Sequence, residues 1–348
     1  MHSVPSHETR DPSITPVSPS SALSGPAVQV SWWQPLLANG NFGLLLAYLG
    51  MVVVFALISP FFLSVPNIIN IAQTLAIIGV VAAGETLVIV HGGFDLSVGA
   101  TAALSGVIIG ILHTNRILPI WPATLLGLAA GAVVGLVNGL VITRLRINAI
   151  ITTLGTLSIV RGLAFVLTGG QTNQLNVDSF KFIGRGAIGM VPVPLIIMAI
   201  VYAVIYLVMK FTDFGRQIYA VGGNPDAARL AGIDVSRVRV RVYLLGGLLA
   251  ALGGVILAAQ LGASSPKAAT GLELTAIAAV ILGGSSLSGG KGTILGTLLG
   301  VFILRTLDNG LVIANVSSYY QEVARGLVLL AAVGLDQVRT KRVVLRGR

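Results

Sequence analysis

KFTDFGRQIYAVGGNPDAARLAGIDVSRVRVR, Lys210 to Arg241, is the longest strongly polar stretch between two long apolar runs. Lys210, Arg216, Arg229, Arg237, Arg239 and Arg241 place six of the chain's 22 Lys and Arg residues here. A short helix with punctuation at both ends is predicted inside it. Asn224 suits the N-cap, Pro225 the first helical position, and Asp226 the positive end of the helix dipole. Ala227, Ala228, Leu230 and Ala231 favour helix, and Gly232 supplies a left-handed stop. A helix of about two turns has little stability in water. Packing must therefore hold it, and docking onto a soluble partner is the expected role.

The apolar runs on either side set the class. Hydrophobic residues make up 55% of the 348-residue chain and charged residues 10%, with a mean hydropathy of +0.91. A soluble surface needs far more charge than that. The 43 glycines suit membrane helices, where small residues let backbones approach closely. The chain reads as all-α, a polytopic membrane protein. Spans of about 20 apolar residues fall at roughly 42–59, 67–90, 96–113, 118–142, 148–168, 192–210, 240–261, 272–284, 293–313 and 321–338. The eighth is short and reads as a broken helix. Glycine rows (Gly127, Gly131, Gly135, Gly139 on the fourth span; Gly292, Gly296, Gly300 on the ninth) bring helices together within one subunit or between two.

Residues 1–35 are rich in Ser and Pro and read as a disordered tail without a signal peptide's apolar region. Residues 36–338 form the membrane domain, with 210–241 as its long inner loop, and 339–348 are a basic tail. Basic residues cluster at the ends of apolar runs. Placing both termini in the cytoplasm puts Arg144, Arg146, the 210–241 loop, Lys291 and the Arg339–Arg348 tail inside, and leaves Arg116, Lys181, Arg185 and Lys267 outside. The net charge of +10 is thus explained by the membrane, and without basic surface interleaved with aromatics no nucleic-acid partner is expected. There is no cysteine, and the four histidines show no metal spacing.

Three sets of residues bear on chemistry. The first is His91-Gly92-Gly93-Phe94-Asp95-Leu96-Ser97-Val98-Gly99, whose Gly-Gly-x-x-Leu-Ser-x-Gly pattern recurs at Gly283, Gly284, Leu287, Ser288 and Gly290. Both copies lie between spans. They are either glycine-rich turns at the cytoplasmic surface or broken helices flanking a pathway. The second is a face of the fifth span carrying Asn148, Thr152, Gly155 and Thr156, with Thr153 beside it and Gln73 and Thr74 on the second span. Uncharged hydroxyls and amides suit a neutral hydroxylated solute, or bond helix to helix. The candidate pathway residues are Gln73, Asp95, Asn148, Thr152, Thr153 and Thr156. The third is the intramembrane charges: Arg305 with Asp308, Glu322 with Arg325, and Glu85 with Arg161 across helices. The outer segment Gly169–Met190 is either a docking surface or a solvated loop.

GGFDLSVGA (92–100), NAIITTLGTLSIVRGLAFVLTGG (148–170), YAVGGNPDAARLAGIDV (219–235) and AVILGGSSLSGGKGT (279–293) together resemble the inner-membrane permease subunit of ribose-type sugar ABC importers. The resemblance runs in order from about residue 40 to 338. It implies a multi-pass permease of the bacterial inner membrane, paired with a second copy or a close homologue and embedded in lipid. It also implies a cytoplasmic ABC ATPase and a periplasmic sugar-binding protein as partners. In the family the ATPase contact matches Gly222 to Ile233, so Gly222, Gly223, Asn224, Pro225, Asp226, Arg229 and Gly232 are expected to carry coupling. The implied substrate is a pentose, a hexose or a related polyol. ATP and magnesium belong to the ATPase, and no cofactor or catalytic residue is expected on this chain. An ion-coupled secondary transporter of a small neutral solute is the alternative. A serine hydrolase using Ser285, Ser286 or Ser288 lacks a motif-related base, because neither His91 nor His113 stands in such a relation.

Overall fold

The computed structural model describes residues 40–328, together with His2, Leu330 and Gly334. The expected tails at 1–35 and 339–348 lie outside the described residues. The described residues from Gly40 to Val328 form one compact body. Its helices are α1 (Gly40–Ile58), α2 (Val65–Val90), α3 (Val98–Thr114), α4 (Ile120–Arg144), α5 (Ala149–Thr168), α6 (Asp178–Arg185), α7 (Val193–Phe211), α8 (Asp213–Gly223), α9 (Pro225–Leu230), α10 (Val235–Leu261), α11 (Leu272–Leu282) and α12 (Ile294–Ile313). Residues 318–328 form a further helical stretch, α13.

Among these, α2, α4, α5, α7, α10 and α12 are long and apolar enough to cross a membrane. The first, third and eighth expected spans correspond to shorter apolar helices, in α1, α3 and α11. The tenth, 321–338, runs beyond the described residues. At about 1.5 Å per residue the 11 residues of α11 cover roughly half of a ~30 Å hydrocarbon core. The remainder is non-helical chain on either side, opened by Gly271 at φ 79° and closed by Gly284 at φ 90°. A short apolar helix bounded by glycine turns thus stands where the broken eighth span is expected.

The core is a sleeve of helices around α2 and α10. α2 is buried continuously from Leu75 to Val90. α10 lies against α4 so closely that added β-carbons at Gly131, Gly135 and Gly139 would sit 2.6 Å from Gly247 O, 2.1 Å from Tyr243 O and 2.8 Å from Val240 Cα. On α12, Gly296 and Gly300 meet Gly283 O and Ala279 O in the same way. Both glycine rows therefore join helices within one chain, the first of the two readings. Outward faces are apolar instead: Ile200, Val204, Leu207 and Phe211 stand exposed along one stripe of α7, and Leu125, Val133 and Val137 on α4. Uncovered apolar stripes on that scale belong in lipid.

The helix connections gather at two ends. One end holds residues 91–97, 145–148, 212–234 and 283–293, tied by Gly290 N–H to Val90 O (2.8 Å), Tyr219 OH to Gly292 O (2.8 Å) and Tyr243 OH to Phe94 O (3.1 Å). Arg144, Arg146, Lys210, Arg216, Arg229, Arg237, Arg239, Arg241 and Lys291 all belong to this basic end. The opposite end holds the outer segment, which is a built structure and not a plain loop. Strand β1 (Asn173–Gln174) pairs antiparallel with Ala263–Ser264, and Ala187–Ile188 pairs with Val191–Pro192. On α6, Phe180 is fully buried and Arg185 caps α10 by donating to Gln260 O (2.5 Å) and Leu261 O (2.9 Å).

Candidate functional site

The polar stretch 210–241 folds into two helices and the start of a third. Thr212 begins α8 by accepting from Gly215 N–H (3.1 Å), and Asp213 pairs with Arg216 on the surface. Ile218 and Val221 bury the inner face of α8. At Gly223 and Asn224 the chain leaves helix, and Asn224 sits in an extended conformation (φ −159°). Its side-chain oxygen accepts from the backbone N–H of both Asp226 and Ala227 (3.0 Å each), with Pro225 in the first turn of α9. Ala228 faces inward, Ile233 N–H returns to Ala228 O (3.0 Å), and Gly232 closes the turn at φ 85°. The cap and stop stand where the residue types placed them.

On the outer face of α9, Asp226 and Arg229 form an exposed ion pair (2.9 Å). Exposed pairs contribute about 0.3–0.5 kcal/mol, too little to hold a six-residue helix. The seat holds it. Leu230, next to the pair, is 91% exposed. Covering a leucine fully is worth about 1.5–3 kcal/mol, so α9 presents one strong apolar contact to whatever docks there.

The two copies of Gly-Gly-x-x-Leu-Ser-x-Gly meet beneath α8. Gly290 bonds to Val90 O, and a β-carbon on Gly289 would lie 2.7 Å from Gly222 O and 2.8 Å from Gly92 Cα. Gly222 is wedged between them: its β-carbon would be 1.9 Å from Val90 O and 2.6 Å from Gly290 N. Only glycine lets three backbones approach so closely. Gly92, Gly284, Gly289 and Gly290 all take positive φ. His91 leads into the first turn, outside both helices, with Nδ1 2.6 Å from Val88 O and its ring edge-on to Tyr243. Burial lowers its pKa to about 4, so the imidazole stays neutral near pH 7. Among the described residues no hydrogen bond joins Ser285, Ser286 or Ser288 to His91 or His113.

Of the pathway candidates, Asp95 and Thr156 are brought into one network. Asp95 accepts from Ser97 N–H (2.9 Å) and Ser97 Oγ (2.5 Å). Asn138 on α4 donates to Ser97 Oγ (2.9 Å) and accepts from Thr156 Oγ1 on α5 (2.7 Å). Burial raises the pKa of Asp95, in the connection outside both helices, and the bonds from Ser97 and Asn138 oppose the rise. Thr152 and Thr153 are buried on the same inward face, Thr153 bonding to Ala149 O (2.9 Å). Asn148 is exposed at the N-cap of α5 and accepts from Ile150 N–H (2.9 Å). Gln73 is half-buried, 17 residues before Val90 and so about 25 Å along α2 from the network. Gly155 stands apart from this set, with open space before it.

Asn138 escaped the sequence reading, although an amide beside Gly139 inside an apolar span is a signal of its own. The expected charge pairs hold in part. Arg305 pairs with Asp308 (3.2 Å), but Arg325 also turns to Asp308 (3.2 Å) and not to Glu322. Arg161 does not reach Glu85: it donates to Pro266 O (2.8 Å) and Ala268 O (2.7 Å), satisfying carbonyls of the non-helical chain before α11. Glu85 is fully buried, pairs with no basic side chain among the described residues, and has the backbone of Asp95 against its carboxylate.

Residues 67–333 match the family described as branched-chain amino acid transport system / permease component. The chain is 44% identical over 292 residues to the ribose import permease protein RbsC of Bacillus subtilis, covering 83% of this chain and 90% of the relative. It is 43% identical over 300 residues to the Escherichia coli K12 protein of the same name, covering 84% and 92%. It is 36% identical over 336 residues to the L-arabinose ABC transporter permease protein AraH of Azospirillum brasilense, covering 95% and 97%. No solved structure gives a significant match.

Proposed function

The chain belongs to the permease component family of branched-chain amino acid transport systems, and we propose that it forms the membrane path of an ATP-driven monosaccharide importer. The chain is a multi-pass membrane permease of the sugar ABC importer kind and not itself an enzyme. The proposal adds the energy source, the partners and the substrate class. Relatives named for ribose and L-arabinose support a pentose first, then a hexose or polyol.

The seat of Gly222 between the two glycine turns, with Leu230 projecting outward, is the observation that carries the coupling reading. A push on α9 from a closing ATPase dimer passes through Gly222 to the end of α2 and to the 283–292 turn. Those turns join the spans that would change access. Nine basic side chains at this end (Arg144, Arg146, Lys210, Arg216, Arg229, Arg237, Arg239, Arg241, Lys291) support its placement in the cytoplasm of a bacterial inner membrane. A periplasmic sugar-binding protein would meet the folded outer segment. The uncovered face of α5, with Ile151, Leu154 and Ile159 exposed and open space at Gly155 and Gly162, supports a second permease copy.

Glu85 favours the second reading, because a buried intramembrane carboxylate with no basic partner among the described residues is what an ion-coupled transporter would keep. Proteoliposomes holding the permease, its ATPase and its binding protein separate the two. Uptake of labelled ribose or arabinose is expected to require ATP and magnesium, and to be indifferent to a proton or sodium gradient. Gradient-driven uptake by the permease alone would overturn the ATP-driven reading.

A further inference from the structure

At the basic end, a cavity of about 810 Å³ opens between the α4–α5 turn, the start of α10 and the first glycine turn. Arg146, Arg229 and Arg239 line it from three elements, with Asn148, Ser236 and Gly93 between them, and no carboxylate is among its lining residues. Arg229 has a partner outside the cavity, Asp226. Arg146 and Arg239 make no ion pair or hydrogen bond among the described residues. Arg146 is held at φ 56°, a left-handed conformation that a non-glycine residue rarely adopts. The N-terminus of the 20-residue helix α5 also opens here, behind its Asn148 cap, and adds its own positive potential.

Two cations without a partner, Arg146 and Arg239, and a third shared with Asp226 surround one cavity and attract a compact anion with several acceptor oxygens, which guanidinium forks match well. Phosphate has that shape and charge. Next to the cavity lies apolar surface: Leu145, Ile147, Ile150 and Ile151 are all exposed along the turn and the first part of α5. We propose that this cavity is a binding site for a phosphate group, delivered by an anionic lipid or by a soluble phosphate compound. The apolar neighbours suit acyl chains beneath a lipid headgroup. A free phosphate would use the cavity alone. The site does not depend on what drives transport, so it stands or falls separately from the importer reading.

The test uses the full chain, delipidated in uncharged detergent, at fixed ionic strength. One arm titrates inorganic phosphate and ribose 5-phosphate calorimetrically against chloride. The other recovers the protein from nanodiscs with and without phosphatidylglycerol and counts retained lipids by native mass spectrometry. Binding is expected in at least one arm, and the responding arm identifies the source. Joint Arg146→Gln and Arg239→Gln substitution should weaken it at least tenfold. Ser236→Glu should do the same without harming the fold, since it places an acid near the start of α10, where the helix dipole favours it. Joint Arg144→Gln and Arg241→Gln substitution removes equal charge at the same end outside this cavity and should leave binding intact. Equal loss in both double variants would mean diffuse attraction to a basic surface and would overturn the site. Binding no stronger than chloride in both arms would overturn it as well.

Discussion

Gly222 shows how much one missing methyl group can decide. Its two nearest neighbours would be backbone atoms, Val90 O at 1.9 Å and Gly290 N at 2.6 Å, and neither can rotate away as a side chain would. Gly222→Ala is therefore expected to destabilise by about 1–3 kcal/mol, the range for overpacking a filled site. Gly223→Ala, one residue on, meets nothing within 4 Å and should stay within about 0.5 kcal/mol of wild type. Thermal unfolding of the two solubilised variants checks this, and equal shifts would contradict the wedge. The neighbouring Asn224, Pro225 and Gly232 were legible from residue type alone, because a cap, a first-turn proline and a left-handed stop are local devices. Gly222 was legible only as part of a motif, and Asn138 only as an amide inside an apolar span, without its partners. Their roles depend on backbones and side chains that arrive from other helices, and no local rule reports that.

Among the elements, α9 has six residues and almost no helical stability of its own, so its cap and its exposed leucine should act on different quantities. Asn224→Ala removes two accepted N–H bonds at the N-cap and should weaken the helix by about 1 kcal/mol. Leu230→Asp changes a side chain that is 91% exposed and should leave the melting temperature unmoved. Both are expected to lower ATP-driven uptake in proteoliposomes. Leu230→Asp should also lower co-purification of the ATPase, and unchanged co-purification and uptake would remove Leu230 from the docking face. The long spans were legible because apolar length is itself the signal, and the short eighth span because glycines bracket its 11 residues. The outer segment was less so. Its helix α6 is eight residues long and half polar, and it turns Phe180, Ile183 and Gly184 inward. Composition could not separate that from a loop.

For the whole molecule, the Lys and Arg of the helix connections gather mostly at one end, where charge is cheap, and that asymmetry carries the orientation expected from the sequence. Charges left inside the spans obey a different rule: each needs a partner, and geometry chooses it. Arg161 and Glu85 lay open to pairing by type, yet Arg161 is used up by Pro266 O and Ala268 O. Asp308 likewise gathers two guanidiniums, Arg305 from its own helix and Arg325 from α13, and so ties the last described helix to α12. Asp308 is 10% exposed, Arg305 25% and Arg325 40%. Removing the acid leaves two cations facing each other with little water to share. Breaking a buried pair costs about 3–5 kcal/mol, and the exposure of Arg325 argues for the low end of that range. Asp308→Asn is thus expected to lower the melting temperature sharply, whereas Asp226→Asn, which breaks a fully surface pair, should scarcely change it. Asp308→Asn combined with Arg325→Leu should recover part of the loss, since it removes one of the stranded cations. Failure of that rescue would mean that α13 is held by its apolar packing and not by the charge it shares with α12.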